Sequence, residues 1–219
     1  MLNRAWSPEA GGPTRSFSRS HFGKHIVLFP SHKNKIQIIC ESRLEADYCI
    51  RLEFDNNVKR YFPQPVTTKF WVTGKVIHYT PDFFVRTHDH TDYFAEVKPS
   101  LSYCTSEYLD TLLLFNKLAK KLNYNFVKIE GNLIQQKPMK TTLQTLYFRS
   151  LHTHLLEYEY LLQQINQKTS LTLRELLNQP APPSMRAIAK AIVEGYIRID
   201  LNKTLTLNST LWFGDHHEC

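Results

Sequence analysis

The chain has 219 residues, 42% of them hydrophobic, which excludes wholesale disorder and allows one large domain or two small ones. No apolar run approaches the roughly 20 residues of a membrane span, and no charged-then-apolar leader opens the chain, so a soluble cytoplasmic protein is expected. Four scattered cysteines without a CxxC exclude a zinc framework or disulfide scaffold, and a net charge of +7 directs attention to where the cations lie.

The first forty residues carry Arg4, Arg15, Arg19, Lys24, Lys33 and Lys35 against Glu9 alone, five of the seven net positive charges. Set among Pro8, Gly11, Gly12, Pro13 and several serines, they read as a flexible basic arm over residues 1–35. Such an arm either tracks a phosphate backbone or simply keeps the protein soluble.

Residues 36–139 read as one domain. Lys35 to Cys40 alternates like a short strand. Ser42 occupies an N-cap position with Glu45 three residues on, so a helix is predicted from Arg43 to Phe54, with Leu44, Tyr48 and Leu52 on one face. An extended run from Val66 to Val72 and a Thr73-Gly74-Lys75 turn follow. A second strand is predicted from Val76 to Val85 with Pro81-Asp82 partway along. Residues 87–91 form a polar tip, and Asp92 to Lys98 returns as a third strand that Pro99 ends. A helix from Ser106 to Leu122 and a strand from Asn125 to Glu130 complete a mixed α/β sheet flanked by helices. Cys40 and Cys49 read as reduced core thiols.

Beyond a boundary at Lys137 to Thr142, residues 140–219 read as a second domain. A long helix is predicted from Leu143 to Gln167, then shorter ones at Leu173–Asn178 and Ser184–Gly195. A hairpin follows, Tyr196 to Asp200 against Thr204 to Leu207. That order is winged-helix-like. Arg186, Lys190, Arg198 and Lys203 are offset there by Glu175, Glu194 and Asp200, and the segment 185–195 suits packing better than base reading. The tail His216 to Cys219 holds ligand-type side chains but reads as a frayed terminus.

Glu96-Val97-Lys98 is the most informative tripeptide. On a strand, Glu96 and Lys98 emerge on one face and Val97 on the other. If residues 87–91 form a hairpin tip, Asp82 comes level with Glu96, and Glu45 would join from the helix. Asp82 and Glu96 are oxygen ligands suited to Mg²⁺, with Glu45 and the Val97 carbonyl completing a shell for as many as two ions. Lys98 would orient or help deprotonate a water and offset charge on a phosphate. Together these groups suit phosphodiester cleavage. Each also has a plain reading: an exposed ExK is commonly a salt-bridge pair, and proline-aspartate is a common turn. Asp89, Asp92, His88 and His90 read as solvated tip residues. Glu41 and Glu53 are rival acids near the helix, less well placed than Glu45.

The set Glu41-Ser42-Arg43-Leu44-Glu45, Leu52-Glu53-Phe54, Val58, Gln64-Pro65, Tyr79-Thr80-Pro81-Asp82-Phe83 and Glu96-Val97-Lys98-Pro99 resembles TnsA. That is the endonuclease subunit of heteromeric cut-and-paste transposases, with a restriction-endonuclease-like PD-(D/E)xK fold. The resemblance spans roughly residues 25–130; the compact length and C-terminal region also resemble TnsA of CRISPR-associated transposons. It implies a bacterial protein that nicks the 5′ strands at transposon ends in double-stranded DNA. A TnsB-like transposase would cut and join the 3′ ends, and a TnsC-like AAA+ regulator would contact the C-terminal region. It implies Mg²⁺, with Mn²⁺ substituting. By position, Glu45, Asp82, Glu96 and Lys98 match the family's catalytic places, and Gln64 matches a supporting glutamine. Two other readings stand: a stand-alone restriction, repair or junction-resolving nuclease, and a non-catalytic winged-helix DNA-binding adaptor.

Overall fold

Ser42 starts the first helix as its position predicts. Its Oγ accepts the Glu45 N–H at 3.1 Å, while the Glu45 carboxylate accepts the Glu41 N–H at 2.8 Å. That reciprocal pair closes the first turn of α1 (Arg43–Phe54). The computed structural model describes residues 26–72, 74–165 and 169–214. Arg4, Arg15, Arg19 and Lys24 of the basic arm, and the tail His216 to Cys219, lie outside the described residues.

The described residues divide into two compact units, one within residues 26–52 and 57–134, the other within residues 53–56 and 135–214. In the first, β1 (Val27–Ser31) pairs antiparallel with β2 (Ile36–Cys40). β1 falls inside the stretch read as arm. Its Phe29 is buried, but Pro30 and the lysines beyond it mask the alternation in sequence.

After α1 come β3 (Val58–Pro63), β4 (Thr68–Val72), β5 (Lys75–Tyr79), β6 (Phe83–Thr87) and β7 (Tyr93–Lys98). Then follow α2 (Ser106–Lys121), β8 (Asn125–Glu130) and the short α3 (Gly131–Ile134). The main sheet runs β3-β6-β7-β8, antiparallel at its first two junctions and parallel at the last. It is a mixed sheet in an α/β unit with helices.

Two sequence expectations need correction here. The single strand from Val76 to Val85 is two, because Pro81 has no N–H to donate to a ladder. β5 pairs with β4 in a separate hairpin, and β6 joins the main sheet. β3 escaped the sequence reading altogether, since Lys59 and Arg60 are adjacent and a register shift lies between Val58 and Arg60.

Aromatic rings hold the sheet to α2. Phe84, Phe94, Leu112, Phe115 and Tyr79 form one buried cluster. Tyr79 and Phe115 centroids lie 4.9 Å apart, and Phe94 and Phe115 5.2 Å apart in an edge-on arrangement. Such pairs contribute about 0.5–1.5 kcal/mol each beyond their buried area. α2 itself is capped by Thr105, which accepts the Tyr108 N–H, and ends on Lys120 and Lys121, whose charge suits a helix C-terminus. Cys40 and Cys49 are buried free thiols with sulfurs 3.7 Å apart.

The second unit contains α4 (Met139–Ser150), α5 (Leu155–Ile165), β9 (Ser170–Thr172), α6 (Leu173–Leu177), α7 (Met185–Val193), β10 (Ile197–Arg198) and β11 (Thr210–Phe213). The predicted long helix breaks between Ser150 and Leu155, where Thr153 turns its hydroxyl onto the Ser150 carbonyl and competes with the helix. The predicted hairpin partner is also different. β10 pairs with β11 rather than with Thr204 to Leu207, and β9 completes a three-stranded sheet. α7 is the core helix of this unit, with Ala187, Ile188, Ala191 and Ile192 buried. Its Lys190 faces Glu194 at 3.8 Å, and Lys203 faces Asp200 at 3.2 Å.

Candidate active site

β6 and β7 set the site. Their register pairs Phe83 with Ala95, so Asp82, one residue before, comes level with Glu96, one residue after. The Asp82 Oδ2 accepts the Val97 N–H at 2.7 Å, which pins its side chain to the end of β7. Lys98 emerges on the same face as Glu96, its Nζ 2.6 Å from Glu96 Oε1 and 3.9 Å from Asp82 Oδ2. Two carboxylates thus share one ammonium at the mouth of an open pocket of about 410 Å³.

Glu45 lines that pocket too, from the first turn of α1. Its carboxylate is engaged locally, accepting from Glu41 N and from Ser42 Oγ at 2.9 Å. The structure therefore brings Asp82, Glu96 and Lys98 into contact and places Glu45 beside them, facing its own helix start. Among the described residues, no three His, Cys, Asp or Glu side chains gather around a common point as an ion would draw them. Glu53 is not among the residues that line the pocket, and Asp89 and Asp92 hold the hairpin tip through Thr91 and Thr87.

Three lining residues were missed in the sequence or ranked below others. Tyr79 Oη donates to Glu96 Oε2 at 2.6 Å, and Tyr108 Oη donates to Glu96 Oε1. Neither tyrosine takes a site role in the sequence; only the partner carboxylate, 17 residues from Tyr79 and 12 from Tyr108, reveals them. Glu41, ranked below Glu45, lines the pocket and accepts from Gln64 Nε2 at 2.7 Å. Gln64 also donates its backbone N–H to the Asp82 carbonyl at 2.8 Å. Its φ of 46° puts it in the left-handed region, a strained conformation for a residue with a side chain. Gln64 so ties the Asp82 backbone to the Glu41 side chain.

The electrostatics follow from this crowding. Burial, then the Glu96 charge, push the Asp82 carboxyl well above the usual aspartate range; Lys98 and the Val97 N–H oppose them, and Glu45 adds to the rise. Burial also raises the Glu45 carboxyl, against the bonds from Glu41 and Ser42. Burial pulls the Lys98 ammonium down, but Asp82 and Glu96 together outweigh it and hold the charge on. Burial and the Glu96 charge keep both tyrosines protonated, as donors.

Asp82 and Glu96 are two side chains here that could hold a hard divalent cation, although the Glu96 oxygens are taken up by Lys98, Tyr79 and Tyr108. Asp82 and Glu96 supply anionic oxygen, and their mutual repulsion is the energy a cation would relieve. No protein-family profile matches the chain, and no curated protein sequence is significantly similar to it.

Proposed function

We propose that this chain is a Mg²⁺-dependent DNA endonuclease of the restriction-endonuclease-like PD-(D/E)xK kind, acting as a TnsA-like subunit of a cut-and-paste transposase. The observation that carries the reading is the convergence of Asp82, Glu96 and Lys98 in one pocket from a Pro-Asp turn and a neighbouring strand. A surface ExK pair would be solvated, whereas Glu96 is 2% exposed and held by three contacts, one each from Lys98, Tyr79 and Tyr108. Burying a carboxylate this deeply is costly unless partners satisfy it, and such crowded ionisable groups concentrate at functional sites.

Asp82 and Glu96 would hold Mg²⁺, with Glu45 and the Val97 carbonyl as further donors and Mn²⁺ as a substitute. The ion supplies polarisation of a phosphoryl oxygen and a bound water of lowered pKa. The chain's own groups do the rest. Tyr79 and Tyr108 fix the Glu96 carboxylate in one orientation. Lys98, held charged, offsets negative charge that builds on the scissile phosphate and orients the attacking water. Gln64 fixes the backbone of Asp82.

On the same reading the second unit is winged-helix-like and docks partner proteins, a TnsC-like regulator and a TnsB-like transposase. Lys190 and Lys203 are paired with Glu194 and Asp200, which disfavours a strong phosphate contact by these two. Strand-resolved cleavage of transposon-end DNA, with and without the partner transposase, tests the proposal. Nicks on the 5′ strands that need Mg²⁺ and the partner support it. Mg²⁺-dependent cleavage indifferent to the partner would make the protein a stand-alone nuclease, and no cleavage in any arm would leave a DNA-binding adaptor.

A further inference from the structure

We infer that the β4–β5 hairpin is a DNA-gripping arm that extends the pocket along the strand being cut, an inference that rests on the nuclease reading. The hairpin has two unlike faces. Direct partners in an antiparallel pair share a face, and the register pairs Lys69 with His78 and Trp71 with Val76. Their alternates, Phe70 and Tyr79, turn inward and pack on the aromatic cluster under α2. The base is stapled by Thr67 Oγ1 to Thr80 Oγ1 at 2.7 Å and by Thr68 Oγ1 to the Tyr79 carbonyl at 3.2 Å. The inner face is thus anchored and the outer face left bare.

Trp71 on that outer face is 77% exposed, and Val76 beside it is exposed as well. Desolvating a tryptophan requires a partner surface, and the charges say which kind. From Gln64 to Pro81 the chain has no Asp or Glu, but has Lys69, Lys75 and His78. All three are exposed, Lys69 and His78 on the outer face and Lys75, paired with Val72 at the tip, on the opposite one. Cations interleaved with an exposed aromatic suit a polyanion with stacked rings.

Position makes the ligand continuous with the site. His78 lines the pocket that holds Asp82, Glu96 and Lys98, and the next residue, Tyr79, donates to Glu96. Two residues further out, Val76 and Trp71 lie about 7 Å along the strand, the rise of roughly two base pairs. Lys69 would contact a phosphate flanking the cut, and Trp71 would stack on or wedge against the adjoining bases.

The test is binding of the full-length protein to a short labelled duplex in EDTA, where cleavage is off, over a series of salt concentrations. Trp71→Ala should weaken binding about 5- to 150-fold, with Trp71→Phe recovering much of the loss. Lys69→Gln should lower the slope of log affinity against log salt by about 1. Thermal melts unchanged from wild type confirm that these exposed substitutions leave the fold intact. Binding with normal affinity and slope in the variants would overturn the hairpin assignment and turn this face toward a protein partner, while leaving Mg²⁺-dependent nicking untouched. Absence of any DNA binding by the wild type would overturn this inference, whereas the nuclease reading falls only if cleavage also fails with the partner transposase present.

Discussion

The Lys98 ammonium sits 2.6 Å from Oε1 of Glu96, a residue two positions earlier on the same strand face. Glu96 is almost fully buried, so this pair is not a solvated surface bridge of negligible worth. Lys98→Met should therefore cost about 1–3 kcal/mol by leaving a buried carboxylate without its cation. It should also lower DNA nicking at least about 100-fold. Lys98→Arg should restore the melting temperature but not the nicking, because a planar guanidinium cannot occupy the ammonium's place. Melts and nicking assays on the two variants decide this; a fully active Lys98→Met would remove Lys98 from the chemistry.

Asp82 carries a pH signature. Its carboxyl lies well above the usual aspartate range in the folded protein, first through burial and then through Glu96. A raised carboxyl stabilises the fold fully below the unfolded aspartate range and loses that contribution as pH rises through the folded value. The cation-free protein should thus lose stability as pH rises above the ordinary aspartate range. Asp82→Asn, which stays neutral and can still accept the Val97 N–H, should flatten that loss and melt higher near neutrality. Melting curves across this rise in pH check the sign: a variant that melts lower throughout would show that Asp82 is held by attraction rather than crowded by repulsion.

Gly131 supports the site from behind. A Cβ added there would lie 3.0 Å from the Pro99 carbonyl oxygen and 3.2 Å from the Pro99 Cα, so backbone must move. Its N–H also donates to that carbonyl at 3.2 Å. Gly131→Ala should displace Pro99, and Lys98 with it, lowering nicking 10-fold or more (about 1.4 kcal/mol). The expected stability cost is about 1–3 kcal/mol. Normal activity in a folded Gly131→Ala protein would count against a fixed Lys98 position.

Glu45 and Glu41 can be told apart by charge. Glu45→Gln keeps an acceptor for the helix start, so its stability cost should stay under about 1 kcal/mol. Nicking should nevertheless fall, because the lost charge is the one that reaches Asp82. Glu41→Gln should reduce nicking less. The opposite ranking, read in the same assay, would move the metal-facing role to Glu41.

Periodicity and capping made α1 legible to the residue, and the strand alternation put Glu96 and Lys98 on one face before any coordinates. The Asp82–Glu96 level followed from one correct assumption, the position of the hairpin tip. What stayed hidden was everything that depends on partners distant in sequence. Tyr79 and Tyr108 take no site role until Glu96 is placed between them. Glu41 ranks below Glu45 in the sequence because it precedes the N-cap, Ser42, which opens the capping box with Glu45. That same box turns the Glu45 carboxylate toward its own backbone, a competition sequence spacing does not weigh. In the second unit, β10 bypasses its nearest neighbour in sequence for β11, because Leu211 and Phe213 are buried whereas Leu207 is exposed.

Cation binding tests the central claim most directly. Calorimetric titration of Mn²⁺ into the full-length protein should show saturable binding that Asp82→Asn weakens at least about 10-fold and Asp82→Asn with Glu96→Gln abolishes. Wild-type protein that takes up no Mn²⁺, or a double variant that binds it as well as wild type, would contradict a metal-dependent site at these residues.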